Sequence, residues 1–298
     1  MRHPLISVCL APLLLTAQTV EIRVETTLVV VPVTVTDTNN RFVLGLEKSD
    51  FQVFEDGAEQ KITHFSGEDA PISIGLLIDT SGSMTMKLDT SRRAAEELLK
   101  TLNAQDEAFL IEFSDRAQLV QGFSRKPEDL QNGLGRLQTG GLTALLDAVN
   151  LGIAEMKNAK NPRKALVVIS DGGDNNSRYS QQEIRNIVRE ADVQLYAMGV
   201  FEAFFLALSK EEVSGPKLLS QIAEQTGGRA FGASEASQLE AIAEKIAIEL
   251  HNEYSLAYSP SHAERDGKFR KIEVKIKQPK GLPDLKARWR SGYYAPAE

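Results

Sequence analysis

Apolar and polar positions follow three successive rules along this chain. From Val20 to His64 the runs are short and β-like: "VEIRVETTLVVVPVTVTD", the turn "TNNR", then "FVLGL", "FQVFEDG" and "KITHF". They are rich in Val, Thr and Phe, lack helical periodicity and use Asp-Gly as a turn signal. From Pro71 apolar strands alternate with amphipathic helices: "ISIGLLID", "SRRAAEELLKTL", "EAFLIEFS", "TALLDAVNLGIAEM", "KALVVISD", "QQEIRNIVREA", "VQLYAMGV", "PKLLSQIAEQTG" and "ASQLEAIAEKIAIEL". After His251 strand patterns return in "YSLAYS", "FRKIEVKIK" and "LKARWRSGYYA".

Strand–helix alternation builds βαβ units. It predicts an α/β fold with a doubly wound, Rossmann-like, mostly parallel sheet covered by helices on both faces. The flanking β-rich stretches are predicted to pair with each other, so that the α/β unit is inserted in a small β domain. The expected divisions are 1–17, 18–69, 70–250 and 251–298. In the last helix, Ser237 and Glu240 have the spacing of a capping box, and Leu239, Ile242, Ile246 and Leu250 share one stripe.

The first 17 residues combine the basic start "MRHP", the apolar run "LISVCLAPLLL" and the small-residue stretch "LTA". They read as an export signal, with a buried first strand as the alternative. The run is too short to span a bilayer, which takes about 20 residues. The expected location is therefore periplasmic, cell-surface or secreted, with no membrane span in the mature chain. Cys9 is the single cysteine, so cleavage would leave no thiol and no disulfide. With 298 residues, 42% of them apolar, the chain is long enough to build a substantial core without one. A formal charge of −7 argues against a nucleic-acid binder, which needs basic surface to neutralise phosphates.

The candidate chemistry lies where apolar strands run into loops. Asp79 closes one strand and opens "DTSGSM", which sets Ser81 and Ser83 on alternate positions; Asp171, in "SDGGDN", closes another strand. Ligands of open parallel sheets gather at the carboxyl ends of strands, so both carboxylates are expected at one edge. "TGGLTALLDA" brings Thr143 to the start of a helix, behind Gly140 and Gly141. Two carboxylates and three hydroxyls form a hard oxygen set. It suits Mg²⁺, with Mn²⁺ or Ca²⁺ also compatible. Asp147, one helical turn after Thr143, and Asp174 are candidates to support these ligands from behind.

The combination of "DTSGSM", Thr143 in "GGLTALLDA" and Asp171 in "SDGGDN" resembles the metal-ion-dependent adhesion site (MIDAS) of the von Willebrand factor A domain family. The resemblance covers about Pro71 to Leu250, and the flanking β segments look like those of bacterial secreted proteins carrying such a domain. It implies that the hydroxyls of Ser81, Ser83 and Thr143 touch the metal, while Asp79 and Asp171 act directly or through water. It further implies an exported binding or adhesion module that captures an Asp or Glu of a partner protein through the cation. Leu142 departs from the pattern, standing where many relatives have glycine.

Two other functions are weighed against this one. A scaffold of an envelope assembly differs only in how permanent its partner is. A hydrolase using Asp79 and Asp171 is suggested by the likeness of "DTSGS" to the D-T-G-S of aspartic proteases. Ser81 interrupts that motif, and no histidine lies between Phe65 and Leu250 to complete a nucleophile–base pair, so no enzyme is expected. His64, His251 and His262 are scattered, and "VFEAFFLALS" is either core or an apolar patch beside the site.

Overall fold

The computed structural model describes residues 28–297, apart from 68, 201–209, 234, 263, 279–280 and 282. The export-signal segment and most of the phenylalanine-rich stretch lie outside the described residues.

Six strands form the central sheet. They are β5 (Ile72–Asp79), β6 (Glu107–Phe113), β7 (Ala117–Ser124), β8 (Arg163–Ser170), β9 (Gln194–Val200) and β10 (Ala230–Ala233), in the spatial order β10-β9-β8-β5-β6-β7. All neighbours are parallel except β7, which returns antiparallel on β6. Every residue of β5 is buried, which explains why its run is apolar apart from Ser73 and the terminal Asp79: in a sheet covered on both faces, neither side of the pleat meets water.

One face is covered by α1 (Leu88–Lys100), α2 (Pro127–Leu134) and α6 (Leu239–His251). The other face is covered by α3 (Leu145–Glu155), α4 (Gln181–Glu190) and α5 (Lys210–Gln225). The stripe Leu239, Ile242, Ile246 and Leu250 of α6 is buried. Its predicted capping box does not form. A short 3₁₀ turn, Ala236–Gln238, precedes the helix, so Gln238 takes the cap position. Ser237 instead donates to Glu235, and Glu240 pairs with Arg93 of α1.

The remaining strands are β1 (Val29–Thr36), β2 (Phe51–Glu55), β3 (Ala58–Gln60), β4 (Ile62–Ser66), β11 (Tyr254–Tyr258), β12 (Phe269–Ile276), β13 (Lys286–Trp289) and β14 (Gly292–Tyr294). They make two antiparallel sheets, β13-β1-β11-β4 and β14-β12-β2-β3, which share one apolar core. Strands from the two ends of the chain interleave: β1 pairs with β11 and β13, and β2 with β12. Pro32 fits within β1 because pairing to β13 starts only at Val33, leaving one side of Pro32 without a strand neighbour.

A buried polar network joins this β layer to the amino-terminal ends of the central strands. Glu253, just after α6, receives Arg163 at 3.1 Å, Gln194 at 2.8 Å, and the hydroxyls of Thr34 and Tyr196 at 3.2 Å each. Glu249 on α6 pairs with Arg288 of β13 at 2.6 Å and with Arg229 at 3.6 Å. Burial raises the Glu253 carboxyl above the usual range, while Arg163 and Gln194 hold it down. Partners on all sides let these carboxylates stay inside.

Candidate metal centre

The parallel register of β5 and β8 aligns Ile78 with Ile169. Asp79 and Ser170 are therefore lateral neighbours at the carboxyl edge, with Asp171 one residue beyond. Asp79 is fully buried. Its Oδ1 accepts the backbone N–H of Ser81 at 2.9 Å, and its Oδ2 accepts the Ser170 hydroxyl at 2.6 Å. The Ser170 oxygen in turn accepts the N–H of Gly172 at 2.9 Å.

After Asp79 the chain turns so that the Ser81 and Ser83 hydroxyls lie 3.1 Å apart. Ser81 is buried, whereas Ser83 is exposed. A 3₁₀ turn, Gly82–Met84, then leads into α1. Buried Met84 anchors this loop from below.

Thr143 arrives on a third loop, stitched to the first by backbone bonds from Gly82 N–H to the Gly141 carbonyl (3.1 Å) and from Gly140 N–H to the Thr80 carbonyl (2.8 Å). The Thr143 carbonyl accepts the N–H groups of Asn175 and Asn176, both at 3.0 Å, and its own N–H donates to Asn175 Oδ1 at 2.8 Å. The loop after Asp171 is thereby fixed to the loop that carries Thr143. All three loops are locked to one another before any ligand is considered.

Asp147 and Asp174 stand behind these loops. Asp147 accepts the Arg178 N–H at 2.9 Å and pairs with the Arg178 guanidinium at 3.0 Å. Asp174 Oδ1 accepts the Ser177 hydroxyl at 2.5 Å, and the Ser177 oxygen accepts the N–H groups of Leu146 and Asp147. Ala144 at the cap of α3 has no side-chain acceptor, so the loop after Asp171 supplies one.

Three participants escape the sequence reading. Ser170 carries a faint signal, as a polar residue ending the apolar run of β8. Asp115 follows β6 at the same edge, and its Oδ1 accepts the Leu142 N–H at 2.8 Å. Gly141 lies at φ +79°, and a Cβ there would stand 2.7 Å from the Asp115 carboxylate, so glycine is needed for this turn. Lys87, nine-tenths buried, places Nζ 3.6 Å from Asp171 Oδ2. Nothing in sequence distinguishes it from a surface lysine.

Burial pushes the Asp79 carboxyl up to about 6; the Ser170 and Ser81 hydrogen bonds oppose the rise, and nearby Asp171 adds to it. A desolvated carboxylate repelled by a second one is the electrostatic setting that a bound cation relieves. No group of three or more His, Cys, Asp or Glu side chains placed to hold a metal exists among the described residues. Any cation at this edge would therefore need the serine and threonine hydroxyls beside the two carboxylates. All of these donors are hard oxygens, and they fit a Mg²⁺-like ion.

Residues 74–173 match the von Willebrand factor type A domain. That span contains Asp79, Ser81, Ser83, Thr143 and Asp171. Inter alpha-trypsin inhibitor heavy chain 4 of Mus musculus is 28% identical over 185 residues, which are 55% of this chain and 20% of the mouse protein. This chain thus spans about a fifth of that relative. Among solved structures, a von Willebrand factor type A protein from Catenulispora acidiphila aligns with TM-score 0.53 and 12% identity, over 92% of this chain and 76% of that one. Proximal thread matrix protein 1 from the mussel byssus aligns with TM-score 0.54 and 18% identity, over 66% of this chain and 50% of that one, and in that structure zinc occupies the MIDAS motif. The chain has the fold of a von Willebrand factor A domain, with two additional antiparallel sheets.

The three described histidines give this edge no general base. His64 lies in β4, His262 follows β11, and His251 sits at the opposite edge beside Asp69 and Asp106.

Proposed function

We propose that this chain is a metal-dependent protein-binding module, in which Asp79, Ser81, Ser83, Thr143 and Asp171 hold a divalent cation and the cation captures an Asp or Glu side chain of a partner protein. The observation that carries this reading is the interlocking of the Asp79, Thr143 and Asp171 loops at one sheet edge, with a buried carboxylate whose ionisation is opposed by its surroundings. Bound there, the ion would supply positive charge at the surface. The protein's own task is to hold the hydroxyls and carboxylates in place, through Ser170, Asp115, Asp147 and Asp174.

Mg²⁺ is the cation this hard oxygen set favours. The zinc in the mussel protein's motif supports divalent binding at an equivalent place. Met86, 88% exposed, and Leu142, 49% exposed, sit on two of the ligand-bearing loops. They offer apolar contact beside the captured carboxylate. Export to the periplasm, cell surface or medium belongs to the same reading, and no helix among the described residues is long and apolar enough to cross a membrane.

The test is capture from envelope and extracellular fractions on immobilised wild-type and Asp79→Ala protein, in Mg²⁺ and in chelator. A partner retained by wild type in Mg²⁺ alone, and lost when its acidic residue is amidated, is the expected result. A partner held equally in chelator, or equally by Asp79→Ala, contradicts the proposal.

A further inference from the structure

Lys87 is the buried ammonium closest to the candidate site, and the metal ligand set does not use it. It occupies the cap position of α1 and is held by backbone bonds on both sides: its N–H donates to the Met84 carbonyl at 2.8 Å, and its carbonyl accepts the Ser91 N–H at 2.9 Å and the Ser91 hydroxyl at 3.0 Å. Its side chain and that of Asp171 are each only 11% exposed, and 3.6 Å separates Nζ from Asp171 Oδ2. Asp171 is the carboxylate that Lys87 pairs with among the described residues.

Charge then decides what such a lysine does. Within the proposed ligand set the two carboxylates, Asp79 and Asp171, balance one divalent cation and would leave it little pull on an outside anion. The Lys87 ammonium adds one positive charge beside that set once the cation is bound. The same charge repels the incoming cation, and in the metal-free protein it screens Asp171.

We infer that Lys87 tunes the metal centre electrostatically, weakening cation binding on its own and strengthening capture of a carboxylate by the loaded site. Cation and acidic ligand then bind cooperatively, each reducing the penalty of the other. This inference rests on the metal-binding reading above.

Calorimetric titration with Mn²⁺, with and without acetate as the carboxylate probe, tests it on wild type, Lys87→Met and Lys87→Arg. Loss of one charge near a divalent ion at a partly buried site should tighten Mn²⁺ binding on the order of tenfold in Lys87→Met. Lys87→Arg should stay near wild type. Acetate should strengthen Mn²⁺ binding to wild type and lose most of that effect in Lys87→Met. Lys87→Gln gives the same reading should Lys87→Met fail to fold, and melting in chelator establishes which variants are folded. A purely structural lysine would lower stability without raising Mn²⁺ affinity. Equal or weaker Mn²⁺ binding by a folded neutral variant overturns the inference while leaving the metal reading intact. Absence of Mn²⁺ binding by wild type overturns both.

Discussion

The Ser170 hydroxyl donates to Asp79 Oδ2 at 2.6 Å across two adjacent parallel strands, β8 and β5, in a fully buried setting. The contact joins the ends of the two strands that bear the carboxylates, and it satisfies the Asp79 oxygen that Ser81 does not reach. The parallel register, which pairs Ile78 with Ile169, brings the two residues side by side.

Removing that hydroxyl in Ser170→Ala leaves a buried carboxylate oxygen short of a donor and the Gly172 N–H short of an acceptor. The expected loss is about 1–3 kcal/mol, measured by urea unfolding in chelator. Added Mg²⁺ should recover part of it, because the cation takes over some of the stabilisation of Asp79.

Asp79 also sets a pH dependence. Its folded carboxyl stands at about 6, raised from 3.8. A raised carboxyl favours the folded state when protonated, so this contribution is complete below about pH 4 and is lost as pH rises through 6. A shift of about two pH units corresponds to about 3 kcal/mol. Metal-free wild type should therefore lose stability as pH rises from 4 to 7.5, and that pH-dependent loss should be absent from Asp79→Asn, which cannot titrate. Wild type in saturating Mg²⁺ should show the opposite trend, with metal stabilisation falling below pH 6 as protons compete for Asp79.

The turn before Thr143 depends on Gly141 at positive φ, packed against Asp115. Gly141→Ala introduces backbone strain of about 1–3 kcal/mol and a clash with the carboxylate that orders the loop. The expected signature is at least tenfold weaker Mn²⁺ binding together with a fall in melting temperature of roughly 2–4 °C per kcal/mol of strain. Asp115→Ala should weaken Mn²⁺ in the same direction by releasing the Leu142 N–H.

The Glu253 network predicts a different phenotype. Glu253→Ala strips Arg163 of its closest buried counter-charge, a change expected to cost about 3–5 kcal/mol in denaturant unfolding. Mn²⁺ affinity of the folded fraction should stay unchanged, since the network lies at the opposite edge of the sheet from Asp79.

Strong periodicity made most of the fold legible. The largely apolar runs of β5 and β8 announced a sheet covered on both faces, and the stripe on α6 announced its buried side. Weakly patterned elements escaped. β7 is a half-exposed edge strand, α2 spans only eight residues and β10 only four, so none carries a long hydrophobic repeat. The capping box that Ser237 and Glu240 suggest does not form because the 3₁₀ turn ahead of α6 shifts the helix start by a residue, which local spacing does not reveal. In the candidate site, Asp79 and Asp171 were readable at the ends of apolar runs, Ser81 and Ser83 in the small-residue loop after Asp79, and Thr143 at the start of a helix. Ser170, Asp115 and Lys87 were not, because their roles arise from contacts between loops distant in sequence.

The central claim is that one divalent cation binds where these loops converge. The most direct measurement is calorimetric titration of the folded protein with Mn²⁺ and Mg²⁺, on wild type, Asp79→Ala and Thr143→Val. Wild type is predicted to bind one ion per chain, and both variants to lose most of that affinity while remaining folded in chelator. Equal binding by wild type and both variants, or no binding by wild type, would contradict the account.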